Sequence, residues 1–180
     1  AKTRTPALNG RGETESVCAE MGRAEFAAEK IPVLLSPDAR GEVVARQVRL
    51  RGIPFEITCV SYGNPHCVTF SPQAAENFGL LGEAAENAPF FPRRANAEFV
   101  TIVGAADFFV RVFERGSGET FACGSGACAV AAAAVKNGYA RENENIRIRM
   151  RGGNLTLTIT RENTYLTGEA VWSFDGETES

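Results

Sequence analysis

Apolar and polar residues alternate along most of this chain in short runs with a period of two, the mark of half-buried strands. The runs lie at residues 13–21, 43–51, 55–61, 67–70, 99–103, 108–114, 146–151, 155–160 and 165–167. In the second run Val44, Arg46, Val48 and Leu50 share a face, and Gly52-Ile53-Pro54 punctuates before the third. Gly152-Gly153 reads as the turn of a hairpin between the two runs that flank it.

Two stretches carry a helical period instead. Residues 72–86 place Phe78 and Leu81 on one side, and Pro89 and Pro92 break the chain beyond them. Residues 127–137 are alanine-rich, and Gly138 is a natural stop. Small side chains let other elements approach that helix on every side. The expected fold is therefore α+β, a curved mixed or antiparallel sheet wrapped around a central alanine-rich helix. Residues 1–170 are read as one domain and 171–180 as a final strand and tail.

Composition narrows the function classes. The 180 residues carry a formal net charge of −3. The sixteen arginines and three lysines are scattered among acids. There is no basic stripe for nucleic acid and no apolar run long enough for a membrane helix. The chain opens on Ala1-Lys2 without a methionine or an apolar signal core, and reads as a fragment or a processed chain. Five cysteines argue against a full disulfide framework and for a reducing, cytoplasmic home. With one histidine and no CxxC pair, a zinc site is not expected.

The chemistry concentrates in Glu114-Arg115-Gly116-Ser117-Gly118-Glu119-Thr120-Phe121-Ala122-Cys123-Gly124-Ser125-Gly126-Ala127-Cys128-Ala129. A strand ends at Glu114, a glycine-rich turn comes next, and a helix opens directly after Cys123. The first turn of a helix presents unpaired N–H groups and the positive end of its dipole. Gly124 and Gly126 leave that turn bare, a ready pocket for a carboxylate or phosphate. The same position is expected to lower a thiol pKa, which makes Cys123 the candidate reactive cysteine. Cys18, Cys59, Cys67 and Cys128 read as small buried hydrophobes. Gly63-Asn64-Pro65-His66 reads as a loop between strands. His66 there would either orient or deprotonate a thiol, or be an ordinary satisfied loop histidine. Gly124-x-Gly126-x-x-Ala129 also fits a dinucleotide fingerprint, but residues 118–122 make a poor preceding strand.

The segment from Glu114 to Ala129 resembles the signature around the second catalytic cysteine of the diaminopimelate epimerase family. Gly63-Asn64-Pro65-His66 is similar to that family's GNPH loop, and Phe91-Pro92-x-Arg94-x-Asn96-x-x-Phe99 to its FPxRxNxxF segment. Gly152-Gly153-x-Leu155, Leu166-Thr167-Gly168 and Met21-Gly22 keep the family order too. The resemblance implies interconversion of LL- and meso-diaminopimelate in lysine biosynthesis, without pyridoxal phosphate or any other cofactor and without a metal. Two cysteines would face opposite sides of the substrate Cα, one as thiolate taking the proton and the other as thiol delivering one.

On the resemblance, Cys123 is the second of these cysteines. Gly124 and Ser125 bind the reacting carboxylate, Asn64 and Asn96 hydrogen-bond the substrate, and His66 lies near the thiols. Glu114, counted with the catalytic groups, and Arg115 hold the substrate. The departure is that no second glycine-rich turn with a cysteine occurs before Cys123. The implied partners are diaminopimelate and an amino-terminal half, on which residues 171–180 would pack. A homodimer is left open. Two alternatives stand beside this reading: another amino-acid racemase of the same fold, or a non-catalytic half-domain that binds small carboxylates.

Overall fold

The computed structural model describes residues 3–171 together with 173, 176 and 177. The expected final strand and tail therefore fall largely outside the described residues, Trp172 and Phe174 included. Among the described residues there are eleven strands, three α-helices and one 3₁₀ turn at Ala28–Lys30. In chain order they are β1 (Arg4–Leu8), β2 (Thr14–Gly22), β3 (Arg46–Leu50), β4 (Ile53–Ser61), β5 (Pro65–Thr69), α1 (Pro72–Glu76), α2 (Phe78–Glu86), β6 (Asn96–Gly104), β7 (Asp107–Glu114), β8 (Gly118–Thr120), α3 (Gly124–Lys136), β9 (Asn145–Met150), β10 (Gly153–Ile159) and β11 (Thr164–Glu169). The sheet runs β1-β2-β11-β10-β9-β7-β6-β5-β4-β3, with β8 paired to β7 off this path.

The sheet is mixed because two connections carry helices. The pairs β5–β6 and β7–β9 are parallel. Parallel neighbours need a crossover, which α1 and α2 supply for the first and α3 for the second. α3 packs against β4, β5, β6, β9, β10 and β11, so the sheet wraps it as expected. Residues 127–134 of α3 are all buried. The helix ends on Gly138, whose φ of 81° is the left-handed stop that the sequence implies.

Alternation along the strands builds two cores. Val60, Val68, Val100, Phe108 and Val110 face α3, with Ile146, Ile148 and Leu157 from the later strands. Ile57, Cys59, Cys67, Ala97 and Phe99 face the other way, onto Phe78 and Leu81 of α2. The second core is that of the predicted helix 72–86, which the structure divides at Asn77 (φ −98°, ψ 23°).

Several expectations shift. The run 43–51 does not keep one face, because Ala45 adopts φ 46° and resets the alternation. Val43 and Val48 are buried in place of Val44 and Val48. Arg51 and Gly52 (φ 48° and 81°) form the tight turn between β3 and β4, both left-handed as a type I′ turn requires. Residues 118–120, a poor strand by composition, pair with β7 as β8. The strand β1 is an addition to the predicted runs.

Cys59 lies opposite Cys67 on adjacent strands, and both are free and buried. Burial pushes the Cys59 thiol up to about 12. The unfolded chain releases that proton near the ordinary thiol value while the folded chain holds it. This contribution to stability is complete below the ordinary value and is lost as pH rises toward the folded one. The expected slope is about 1.4 kcal/mol per pH unit. Urea unfolding between roughly pH 9.5 and 11 should show a steeper loss for the parent than for Cys59→Ala. Equal slopes would refute it.

Candidate active site

Cys123 is the N-cap of α3. Its backbone is extended (φ −143°, ψ 111°) and its Sγ accepts the Gly126 N–H at 3.3 Å. The sulfur thus takes the place that a Ser or Asp oxygen fills at most helix starts. Ser125 Oγ stands 3.6 Å from Sγ, and the Cys123 N–H donates to Met150 Sδ at 3.4 Å. The side chain is half-buried, Gly124 is exposed and Ser125 half-buried. The nearest non-neighbour atom to a Cβ at Gly124 would be Leu166 Cδ1, at 3.8 Å. A Cβ there would fit in ordinary van der Waals contact. Gly126 is different: a Cβ there would stand 3.0 Å from Glu98 Oε1 and 3.3 Å from Cys123 Sγ.

Strand parity gathers the other groups. His66 on β5 pairs in register with Asn96 on β6. On β6, Asn96 and Glu98 share the face of Val100, which packs on α3, and on β7 Glu114 shares the face of Val110. His66, Asn96, Glu98 and Glu114 therefore all turn toward the α3 side of the sheet.

His66 is not the loop residue expected from its motif. It is the second residue of β5 and fully buried. Pro65 can open that strand because it pairs with Ser61 in a non-hydrogen-bonded position, where its missing N–H costs nothing. His66 Nδ1 lies 2.7 Å from Glu98 Oε1 and Nε2 3.1 Å from Asn64 Oδ1. Asn64 Nδ2 in turn donates to Ser125 Oγ at 3.5 Å. Sequence-predicted residues on the GNPH turn and at the helix start are thus joined by hydrogen bonds.

Asn96 is buried and engaged at both ends. Its Nδ2 donates to Pro65 O at 3.1 Å and its Oδ1 accepts the Arg115 N–H at 3.0 Å. It thereby fixes the turn after β7. Glu114 ends β7 half-buried and accepts a hydrogen bond from Thr120 Oγ1. Arg115 is exposed, and its guanidinium donates to Arg93 O at 3.3 Å.

Two buried carboxylates are absent from the residues that the sequence singles out. Glu86 Oε1 accepts the Gly116 N–H at 2.7 Å and Arg94 Nη1 at 3.1 Å, clamping the same turn from α2. Glu98 is fully buried on His66. The alternation of β6 carries the signal for Glu98, since it puts a carboxylate between Asn96 and Val100 on an inward face. Glu86 leaves no such signal.

The electrostatics correct one expectation. The Cys123 thiol is raised, not lowered. Burial is the largest cause, and the carboxylates of Glu98 and Glu114 push the same way. The Ser125 hydroxyl and the Gly126 N–H pull down and lose. Glu98 is itself raised, by burial first, against the pull of His66.

A cleft of about 510 Å³ lies at the opposite end of α3, lined by Ala132, Val135 and Lys136. Its lysines are already paired, Lys136 with Glu42 and Lys30 with Glu25. Its lining takes in neither Cys123 nor Ser125, Asn64, His66 or Glu98. Among the described residues no three His, Cys, Asp or Glu side chains gather to hold a metal ion, and no helix is long and apolar enough to cross a membrane. The glycine fingerprint lacks its context: β8 is short and antiparallel to β7, where a dinucleotide site needs a buried parallel strand.

The sequence model described as diaminopimelate epimerase matches residues 58–173. A diaminopimelate epimerase of Desulfovibrio desulfuricans is 41% identical over 175 residues, covering 92% of this chain and 60% of that protein. One from Leptospira biflexa is 39% identical over 171 residues, covering 93% and 59%. The chain thus spans about 60% of the length of these curated relatives. Among solved structures, a probable proline racemase from Agrobacterium radiobacter K84 aligns with TM-score 0.60 at 12% identity, covering 96% of this chain and 57% of that one. A hydroxyproline epimerase from Agrobacterium vitis aligns with TM-score 0.59 at 13% identity, covering 92% and 52%. At such identities these two show a shared fold.

Proposed function

The chain belongs to the diaminopimelate epimerase family, and from that premise we propose that it is the Cys123-bearing half of a cofactor-independent isomerase that interconverts LL- and meso-diaminopimelate. The observation that carries this reading is the sulfur at the mouth of α3. Cys123 Sγ consumes the Gly126 N–H, and the Ala127 N–H bonds to Cys123 O. The N–H groups of Gly124 and Ser125 have no acceptor among the described residues. Two free amides beside a thiol suit a substrate whose carboxylate binds the amides while its Cα meets the sulfur.

In this reading Cys123 acts on one face of Cα. As thiolate it takes the Cα proton, and the electron pair left behind delocalises into the carboxylate. The Gly124 and Ser125 amides lie where that charge develops and stabilise it without reorganising. A thiol from the remaining part of the enzyme delivers a proton to the opposite face, and the two sulfurs exchange roles when the reaction runs backward. Glu114 and Arg115 hold the substrate, as do Asn64 and Asn96. Asn96 acts chiefly by shaping the Arg115 turn. The raised Cys123 thiol fits a group that must also serve as the acid.

The test is complementation. The chain alone should exchange no Cα hydrogen of diaminopimelate for deuterium, and adding the amino-terminal portion present in the longer relatives should restore both exchange and epimerisation. Turnover by the chain alone, unchanged by that addition, would overturn the proposal. The raised thiol also favours a second reading, a non-catalytic half-domain that holds small carboxylates. That reading requires diaminopimelate to bind and exchange to stay absent even after complementation. Activity on other amino acids in preference to diaminopimelate would point to a different racemase on this fold.

A further inference from the structure

The groups around Cys123 leave one buried feature without a role. Glu98 is 0% exposed, its Oε1 meets His66, and its Oε2 has no hydrogen-bond partner. It lies directly under the first turn of α3, close enough that a Cβ at position 126 would stand 3.0 Å from its Oε1. A carboxylate in that place is costly to desolvate unless it is neutralised.

From Glu98 a continuous chain leads to the thiol. It runs from Glu98 Oε1 to His66 Nδ1 (2.7 Å), from His66 Nε2 to Asn64 Oδ1 (3.1 Å), from Asn64 Nδ2 to Ser125 Oγ (3.5 Å) and from Ser125 Oγ to Cys123 Sγ (3.6 Å). We propose that Glu98 is a positioning residue for Cys123: it shares a buried proton with His66, and the protonation of that pair sets the direction of the hydrogen-bond chain ending on the thiol. The inference rests on the reading of Cys123 as the reacting sulfur.

The proton count gives the mechanism. With Asn64 oriented so that its Nδ2 reaches Ser125, its Oδ1 faces His66 Nε2, and that nitrogen must carry a proton. The contact between Nδ1 and Oε1 needs a second. The pair then holds two protons and has no net charge, whether written as carboxylic acid with neutral imidazole or as carboxylate with imidazolium. Ser125 accepts from Asn64, so its own hydrogen is free to point at Sγ, and the chain favours a thiolate.

Removing one proton leaves a carboxylate with an imidazole protonated at Nδ1. Nε2 becomes an acceptor and the Asn64 amide must turn to donate to it. Ser125 then donates to Asn64 Oδ1 and offers Sγ a lone pair, which favours the thiol. The new negative charge beside Cys123 acts in the same sense. The charged and titratable groups facing this pair are Glu114 on β7, Cys123 at the start of α3 and Cys67 on β5. Glu114 carries no route of its own to Ser125, so the Asn64–Ser125 link separates the two carboxylates.

His66 is the single histidine of the chain, so its ring nitrogens can be read without assignment in ¹⁵N-histidine-labelled protein. The expected spectrum of the parent shows a proton on Nε2 at neutral pH that is lost, as the Glu98–His66 pair gives up a proton, before or within the pH range in which Cys123 becomes alkylated by iodoacetamide. An Nε2 that is unprotonated at neutral pH, or that keeps its proton through that range, overturns the proposal, and this measurement needs no variant. Glu98→Gln can bond His66 but cannot release a proton. Its Cys123 alkylation midpoint, mapped by mass spectrometry to separate the other cysteines, should move to lower pH. Each unit of that movement raises the alkylation rate at neutral pH about three- to fourfold, since tenfold more thiolate is partly offset by lower nucleophilicity. In a Ser125→Ala background the same substitution should move the midpoint much less. An unmoved midpoint in Glu98→Gln, or an equal movement with and without Ser125, refutes the chain. None of these readings uses turnover, so their failure is distinct from a failure of complementation.

Discussion

Cys123→Ala in the assembled enzyme is expected to abolish epimerisation while the fold persists. A positioned acid–base group contributes about 10²–10⁴-fold to rate. On the proposed mechanism the same sulfur serves as base in one direction and acid in the other, so its loss should stop both. The structural cost is separate and small. Alanine removes the acceptor of the Gly126 N–H, and the loss of an N-cap costs about 1 kcal/mol. Cys123→Ser distinguishes the two effects. Serine is a good N-cap, so stability should return toward the parent. Its hydroxyl does not ionise near neutral pH, so activity should not. Urea midpoints and Cα hydrogen exchange on the three proteins, each combined with the amino-terminal portion, read both quantities. An alanine variant that retains a tenth of the parental rate would remove Cys123 from the chemistry.

The local grammar of the site is legible in the chain itself. Cys123 before Gly124-Ser125-Gly126 announces a helix start with a thiol at its mouth, because cap preference and bare amides are properties of a few consecutive residues. The alanine-rich run similarly implies a helix approached from several sides, which is how α3 sits. The electrostatic sign at Cys123 is not legible there. It depends on Glu98 and Glu114, which lie on other strands and reach the thiol only through sheet register. The fully buried state of His66 is hidden for the same reason: the GNPH turn ends two residues earlier than its sequence suggests, and Pro65 already belongs to β5. The division of residues 72–86 at Asn77 and the left-handed Ala45 are single-residue backbone choices. Tertiary packing sets them, and periodicity does not record them.

The largest expected loss of stability comes from how α3 is built. A helix whose buried residues are mostly alanines fills little space, so the strands around it must supply the volume. Phe108 on β7 is the largest fully buried side chain among the described residues and belongs to the core around α3. It pairs in register with Ile102 on β6 and with Ile148 on β9, and meets the Phe70 ring edge-on at 6.0 Å. Phe108→Ala leaves a cavity that the short side chains of α3 cannot enter, so relaxation is limited and the loss should fall in the upper part of the about 3–5 kcal/mol usual for buried aromatic truncations. Against a total of about 5–15 kcal/mol for a domain, that brings the fold near its limit. Urea unfolding should show a lower midpoint with an unchanged slope. The site should be spared where the protein stays folded: Glu114 is six residues further along β7, about 20 Å at strand rise, and β8 rather than β9 flanks that end. The pH profile of Cys123 alkylation should therefore match the parent. A loss below about 1 kcal/mol would mean that the sheet can collapse onto α3, and the rigid cradle invoked for the thiol would have to be abandoned with it.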